Sequence, residues 1–128
     1  MRCAGRRPPI QLTLTHTYYV VPAEGEHGPW RVSTAGWIYE VADADDNLIV
    51  AFHWHPDGHG RVTWPHIHAY GAHDTVEMHK LHPPTGRVSI ESVVRFLIED
   101  LGLVPRRADW PAILERNERL FRERRSWS

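Results

Sequence analysis

A chain of 128 residues with 41% hydrophobic and 24% charged side chains has the composition of one globular domain with a modest core, which excludes global disorder. Sixteen acids against fifteen lysines and arginines give a net charge of −1, which excludes a polyelectrolyte that binds nucleic acid or anionic membranes through bulk charge alone. Cys3 is the only cysteine, so an intramolecular disulfide is impossible and a thiolate zinc site is not expected.

No apolar run has the length of a membrane span, and Arg6-Arg7 precedes no hydrophobic segment of signal-peptide length. The expectation is a cytoplasmic protein with no membrane partner. Residues 1–9 read as a flexible basic segment, and residues 10–70 as a sheet. Ile10, Leu12, Leu14, Tyr18 and Val20 alternate with Gln11, Thr13, Thr15 and Thr17, the pattern of a half-buried strand. Pro22 and Glu24-Gly25-Glu26 end it. Trp37, Tyr39 and Val41 give a second period-two run, and Asp43 to Asn47 make a polar turn. Leu48 to His55 follows as a third strand, with Leu48, Val50, Phe52 and Trp54 on one face and Ile49, Ala51, His53 and His55 on the other. A fourth strand, roughly Val62 to Tyr70, contains Pro65, which lacks a ladder donor and predicts an edge strand or a bulge.

Residues 71–88 read as a loop. The period then becomes helical at Ile90, Val93, Val94, Leu97, Ile98 and Leu101, with Ser89 as N-cap and Gly102 as stop. Asp109 is placed to cap a second helix, with Trp110, Ile113, Leu114, Leu120 and Phe121 on its apolar stripe. Residues 89–122 hold the two helices and 123–128 a tail. The predicted fold is α+β: a single domain with an antiparallel meander of about four strands and two helices packed on one face.

Eight of the ten histidines lie between His53 and His82. His53-Trp54-His55 and His66-Ile67-His68 each place both imidazoles on one side of a strand. Pairing His55 with His66 and His53 with His68 would gather four imidazoles into one patch. Between Val21 and Met78 nine acids face only Arg31 and Arg61, a local excess of negative charge.

Three readings of that patch compete. In the first, the imidazoles cleave RNA by acid–base catalysis, with His66 and His68 the leading acid and base and His53 and His55 next. Arg61, Lys80 and Arg87 would stabilise the phosphate, and Trp54, Trp64 and Tyr70 would stack bases. In the second, His53, His55, His66 and His68 bind zinc or another divalent ion, as a hydrolytic or a structural centre, with Asp57, Asp74 or Glu77 as ligands or supporting partners. The acidic surroundings suit a cation; no His-Glu-x-x-His or Cys-x-x-Cys is present. In the third, the histidines are solvated surface residues, and the chain is an interaction module acting through its tryptophans and arginine-rich second helix. His73, His79 and His82 extend the cluster, whereas His16 and His27 read as structural. Thr85-Gly86-Arg87 before a helix start is a further phosphate candidate, though a rigid capped turn explains it more simply.

Trp37-Ile38-Tyr39-Glu40, the Asp45-Asp46-Asn47 turn, Phe52-His53-Trp54-His55 and Pro65-His66-Ile67-His68 together resemble the TumE-like toxin family of prokaryotic toxin–antitoxin systems. The resemblance covers roughly residues 36–101 and departs from the family where Pro65-His66 replaces a double histidine. It implies a growth-inhibiting toxin that is neutralised by a protein antitoxin and acts on RNA.

Overall fold

The computed structural model describes residues 9–71 and 80–124. The elements run β1 (Gln11–Pro22), β2 (Trp30–Ala42), β3 (Leu48–Trp54), β4 (His66–Ala69), α1 (Ile90–Glu99) and α2 (Trp110–Arg124). The strands form one antiparallel sheet in the order β1-β2-β3-β4. The expected meander followed by two helices is the observed α+β architecture. Among the described residues, no helix is long and apolar enough to cross a membrane.

The β2–β3 turn closes through Asp43, whose Oδ1 accepts from the backbone N–H groups of Asp45 and Asn47, both at 2.9 Å. Asp46 takes the left-handed conformation (φ 62°), which short polar side chains tolerate. β4 is an edge strand, as the proline predicts, but it is shorter than expected because Pro65 precedes it. Its outer side is covered by the chain returning from the loop. Ile67 N–H donates to the Pro83 carbonyl at 3.1 Å, and Thr85 N–H donates to the Pro65 carbonyl at 2.8 Å.

One face of the sheet carries the core. Cross-strand pairs Trp37–Trp54, Tyr39–Phe52 and Val41–Val50 present their side chains to Val93 and Leu97 of α1. Full burial of those two helical residues stabilises the fold by roughly 1.5–3 kcal/mol each. Ser89 caps α1, its side chain accepting from Ser92 N–H, and Gly102 (φ 69°) turns the chain after the helix.

The two helices follow the sheet in the expected order, and they divide the packing unequally. No α2 residue belongs to either core cluster. α2 is joined to α1, where Glu118 accepts from the Ser92 hydroxyl at 3.2 Å and Arg95 lies over Trp110 at 5.9 Å. Trp110 is half-buried and Phe121 exposed, so neither is the core residue predicted.

The β1–β2 hairpin outruns the rest of the sheet. The last β2–β3 pair is Trp37–Trp54, while Tyr18 to Pro22 continue to pair with Thr34 to Trp30. This two-stranded overhang leaves Tyr18, Val20, Trp30 and Val32 more than half exposed. Beneath it, on the helix side, lies a cavity of about 760 Å³ floored by Trp37, Tyr39 and Trp54. Burial and the nearby Glu91 carboxylate push the Tyr39 hydroxyl up to about 12.

Candidate metal centre

The face opposite the helices carries the histidines. Its rows read Ile38–His53–His66 and Glu40–Ala51–His68 across β2, β3 and β4. The expected register, with His55 opposite His66, is displaced by two residues: His53 pairs with His66, and Ala51 with His68. An even displacement preserves which side each residue faces, so both His-x-His pairs still converge. The Pro56–Pro65 connection has the slack to allow the shift, and the bridge from His66 to Pro84 helps to hold it.

The rings are close together. Centroid separations are 5.6 Å for His53–His66, 4.7 Å for His53–His68 and 4.9 Å for His66–His68. One ligating nitrogen from each of these three lies within 4.8 Å of the other two. His66 and His68 are buried, and His53 is half-buried. His55 approaches His53 and His66 at 5.9 and 5.7 Å, outside the tight triad but on the same side.

Two details give the triad a chemical direction. His66 Nδ1 stands 2.8 Å from the Trp64 carbonyl. A carbonyl only accepts, so Nδ1 carries the proton and Nε2 keeps a free lone pair, the usual way a metal-binding imidazole is oriented. His53 Nε2 is buried and has no hydrogen-bond partner, an arrangement that costs free energy unless something binds there. Burial, followed by the neighbouring His68, His66, His55 and His82 rings, pushes the His53 imidazole down to about 4. His66 is also lowered, chiefly by burial and against the Trp64 hydrogen bond. Both rings are therefore held neutral, which is the ligating form.

The other predicted site residues are not gathered here. Trp54 and Phe52 face the helices, and the Arg87 guanidinium lies 4.3 Å over the Trp54 ring. Arg87 therefore belongs to the opposite side of the sheet from the imidazoles, because adjacent strand residues alternate faces. Arg61 is exposed on the β3–β4 connection, and Lys80 is exposed at the end of the loop. Trp64 is 46% exposed, and Tyr70 lies 6.4 Å from His68. Asp57 lines a small cavity with His55. His73, Asp74, Glu77 and His79 lie outside the described residues. His16 is hydrogen-bonded to Thr34 at 3.0 Å, in keeping with a structural role, and exposed His27 borders the large cavity.

The neighbour that strand reasoning passed over is His82. Its ring lies 5.2 Å from His66 and 4.7 Å from His68. Only its place in the run of histidines after β4 signalled it, because it approaches from the returning loop. No family model matches the chain, and neither a curated protein nor a solved structure matches it.

Proposed function

We propose that this protein binds one divalent transition-metal ion, zinc foremost, through His53, His66 and His68. The observation that carries this reading is the unpartnered, buried Nε2 of His53 within a triad of ligating nitrogens no more than 4.8 Å apart. Tetrahedral zinc with Zn–N of about 2.0–2.1 Å would draw those nitrogens to roughly 3.4 Å from one another. Inward adjustment on the order of 1 Å per ring supplies that change. Imidazole suits zinc, copper, iron and nickel, and the acidic segment that contains the triad favours cation entry.

Three protein ligands leave a fourth position. Water there would ionise near pH 7 and make the centre hydrolytic, whereas a fourth side chain would make it structural. RNA cleavage by the same rings, the activity carried by the toxin resemblance, needs one imidazole charged near neutral pH. Surroundings that keep His53 and His66 neutral favour the metal.

Elemental analysis of untagged protein tests the proposal. Stoichiometric zinc in the wild type, lost in His66→Ala/His68→Ala, is expected. A metal-free wild type that takes up no zinc, cobalt, nickel or copper would overturn it. Growth inhibition relieved by the same double substitution would then restore the catalytic reading.

A further inference from the structure

We propose that His82 is the fourth metal ligand, so that the centre is a closed set of four imidazoles fastening the returning loop to the sheet. This rests on the metal reading above and extends it to the position the triad leaves open.

Among the described residues, His66 neighbours four other imidazoles: His53, His55, His68 and His82. The two outer rings are placed differently. Among the described residues His55 approaches no imidazole more closely than 5.7 Å, whereas His82 lies 4.7 Å from His68, as close as any two members of the triad. Its backbone is held where this demands. Pro83 and Pro84, immediately after it, restrict the chain. The Pro83 carbonyl accepts from Ile67 N–H at 3.1 Å, and Thr85 N–H reaches Pro65 at 2.8 Å. The loop is thus laced to β4 on both sides of His66, which presents His82 over the edge of the triad. His82 itself is exposed, so its side chain can complete the coordination by rotating, without disturbing a packed core.

The chemistry follows from the ligand count. With four neutral imidazoles, zinc has no vacant position for water and supplies binding energy rather than catalysis. The metal would then join β3, β4 and the segment leading to α1. Metal loading would govern how firmly that segment is held, making the loop the metal-responsive part of the molecule.

Cobalt(II) substitution provides the test, in full-length untagged protein with Cys3→Ser as the background. Loss of a supporting partner outside the ligand shell costs metal affinity roughly 10–100-fold, and loss of a ligand should cost no less. His82→Ala should therefore weaken cobalt by at least about tenfold and leave a complex whose visible spectrum shifts on adding imidazole. The wild-type spectrum should not shift. His82→Cys should introduce a sulfur-to-cobalt charge-transfer band, which requires a bond between residue 82 and the metal. Cobalt bound by the wild type with unchanged affinity in His82→Ala and no sulfur band in His82→Cys would overturn the fourth ligand and leave the triad intact. No cobalt or zinc bound by the wild type would overturn the triad itself, and His82 with it.

Discussion

His53 and His66 are direct partners across the β3–β4 ladder, with ring centroids 5.6 Å apart and planes at 78°. Such an edge-to-face arrangement does not stack the rings; it leaves nitrogens of both free to approach a common point. His66 is 1% exposed, and its other nitrogen is committed to Trp64.

Replacing His66 by alanine should therefore act twice. Metal binding should fall to background, because the oriented nitrogen is gone. The metal-free protein should also lose about 1–3 kcal/mol through the broken hydrogen bond and the void. Urea unfolding in chelator measures the second effect separately from the first.

Metal should stabilise the wild type by mass action. Free zinc at a hundred times its Kd contributes about 2.7 kcal/mol, which for a chain of this size raises Tm by roughly 10 °C. Calorimetry with and without a chelator checks this. An unchanged Tm at saturating zinc would contradict binding to the folded state.

Gly36 should not accept a side chain. A Cβ there would lie 2.7 Å from the Trp54 carbonyl oxygen, a backbone atom at the end of β3 rather than the tip of a flexible side chain. Gly36→Ala should destabilise by about 1–3 kcal/mol, read as a lower urea midpoint. At Gly58 the nearest atom is a side-chain one, His55 Nδ1 at 2.7 Å, with the His55 carbonyl oxygen at 3.1 Å. Gly58→Ala should turn the His55 ring aside while metal affinity stays unchanged, since His55 is outside the proposed ligand set.

Acid should loosen the β2–β3 turn through Asp43. Hydrogen bonds from the Asn47 side chain, then from the Asn47 and Asp45 backbone, hold its carboxyl below the ordinary 3.8. A carboxylate with a depressed folded value contributes stability above its unfolded value and loses it as pH falls through the folded one. Asp43→Ala should therefore unfold at lower urea near neutrality and show a shallower loss of stability on acidification below about pH 4. Urea titrations across that range check the slope.

Much of the fold was legible because the two hydrophobic periods change cleanly between residues 70 and 90. The strand pattern of Trp37, Tyr39 and Val41 and the helical pattern of Val93 and Leu97 each named a buried face, and those faces meet. What alternation cannot express was missed. The irregularity between Val41 and Ala42 brings Ile49 beside the core instead of leaving it on the histidine face. The Trp30–Gly36 half of β2 lacks a continuous apolar alternation, since its partner is only β1. The α2 stripe resembled a core stripe, yet Trp110 is only half-buried and Phe121 is exposed.

The candidate site divides in the same way. Parity placed His53, His55, His66 and His68 together whatever the even register. Arg87 was misdirected because sequence proximity to the loop says nothing of which side of the sheet it reaches. His82 required the tertiary path of the Pro83–Thr85 segment, which no local pattern encodes.

Trp54 stands between His53 and His55 in the chain, yet its indole floors the large cavity on the helix side and bears the Arg87 guanidinium. A single extended ribbon thus carries imidazoles on one side and, on the other, an aromatic ring that lines a cavity. Any substitution that tilts this ribbon is answerable on both sides at once, so the imidazole cluster and the cavity cannot be re-engineered independently.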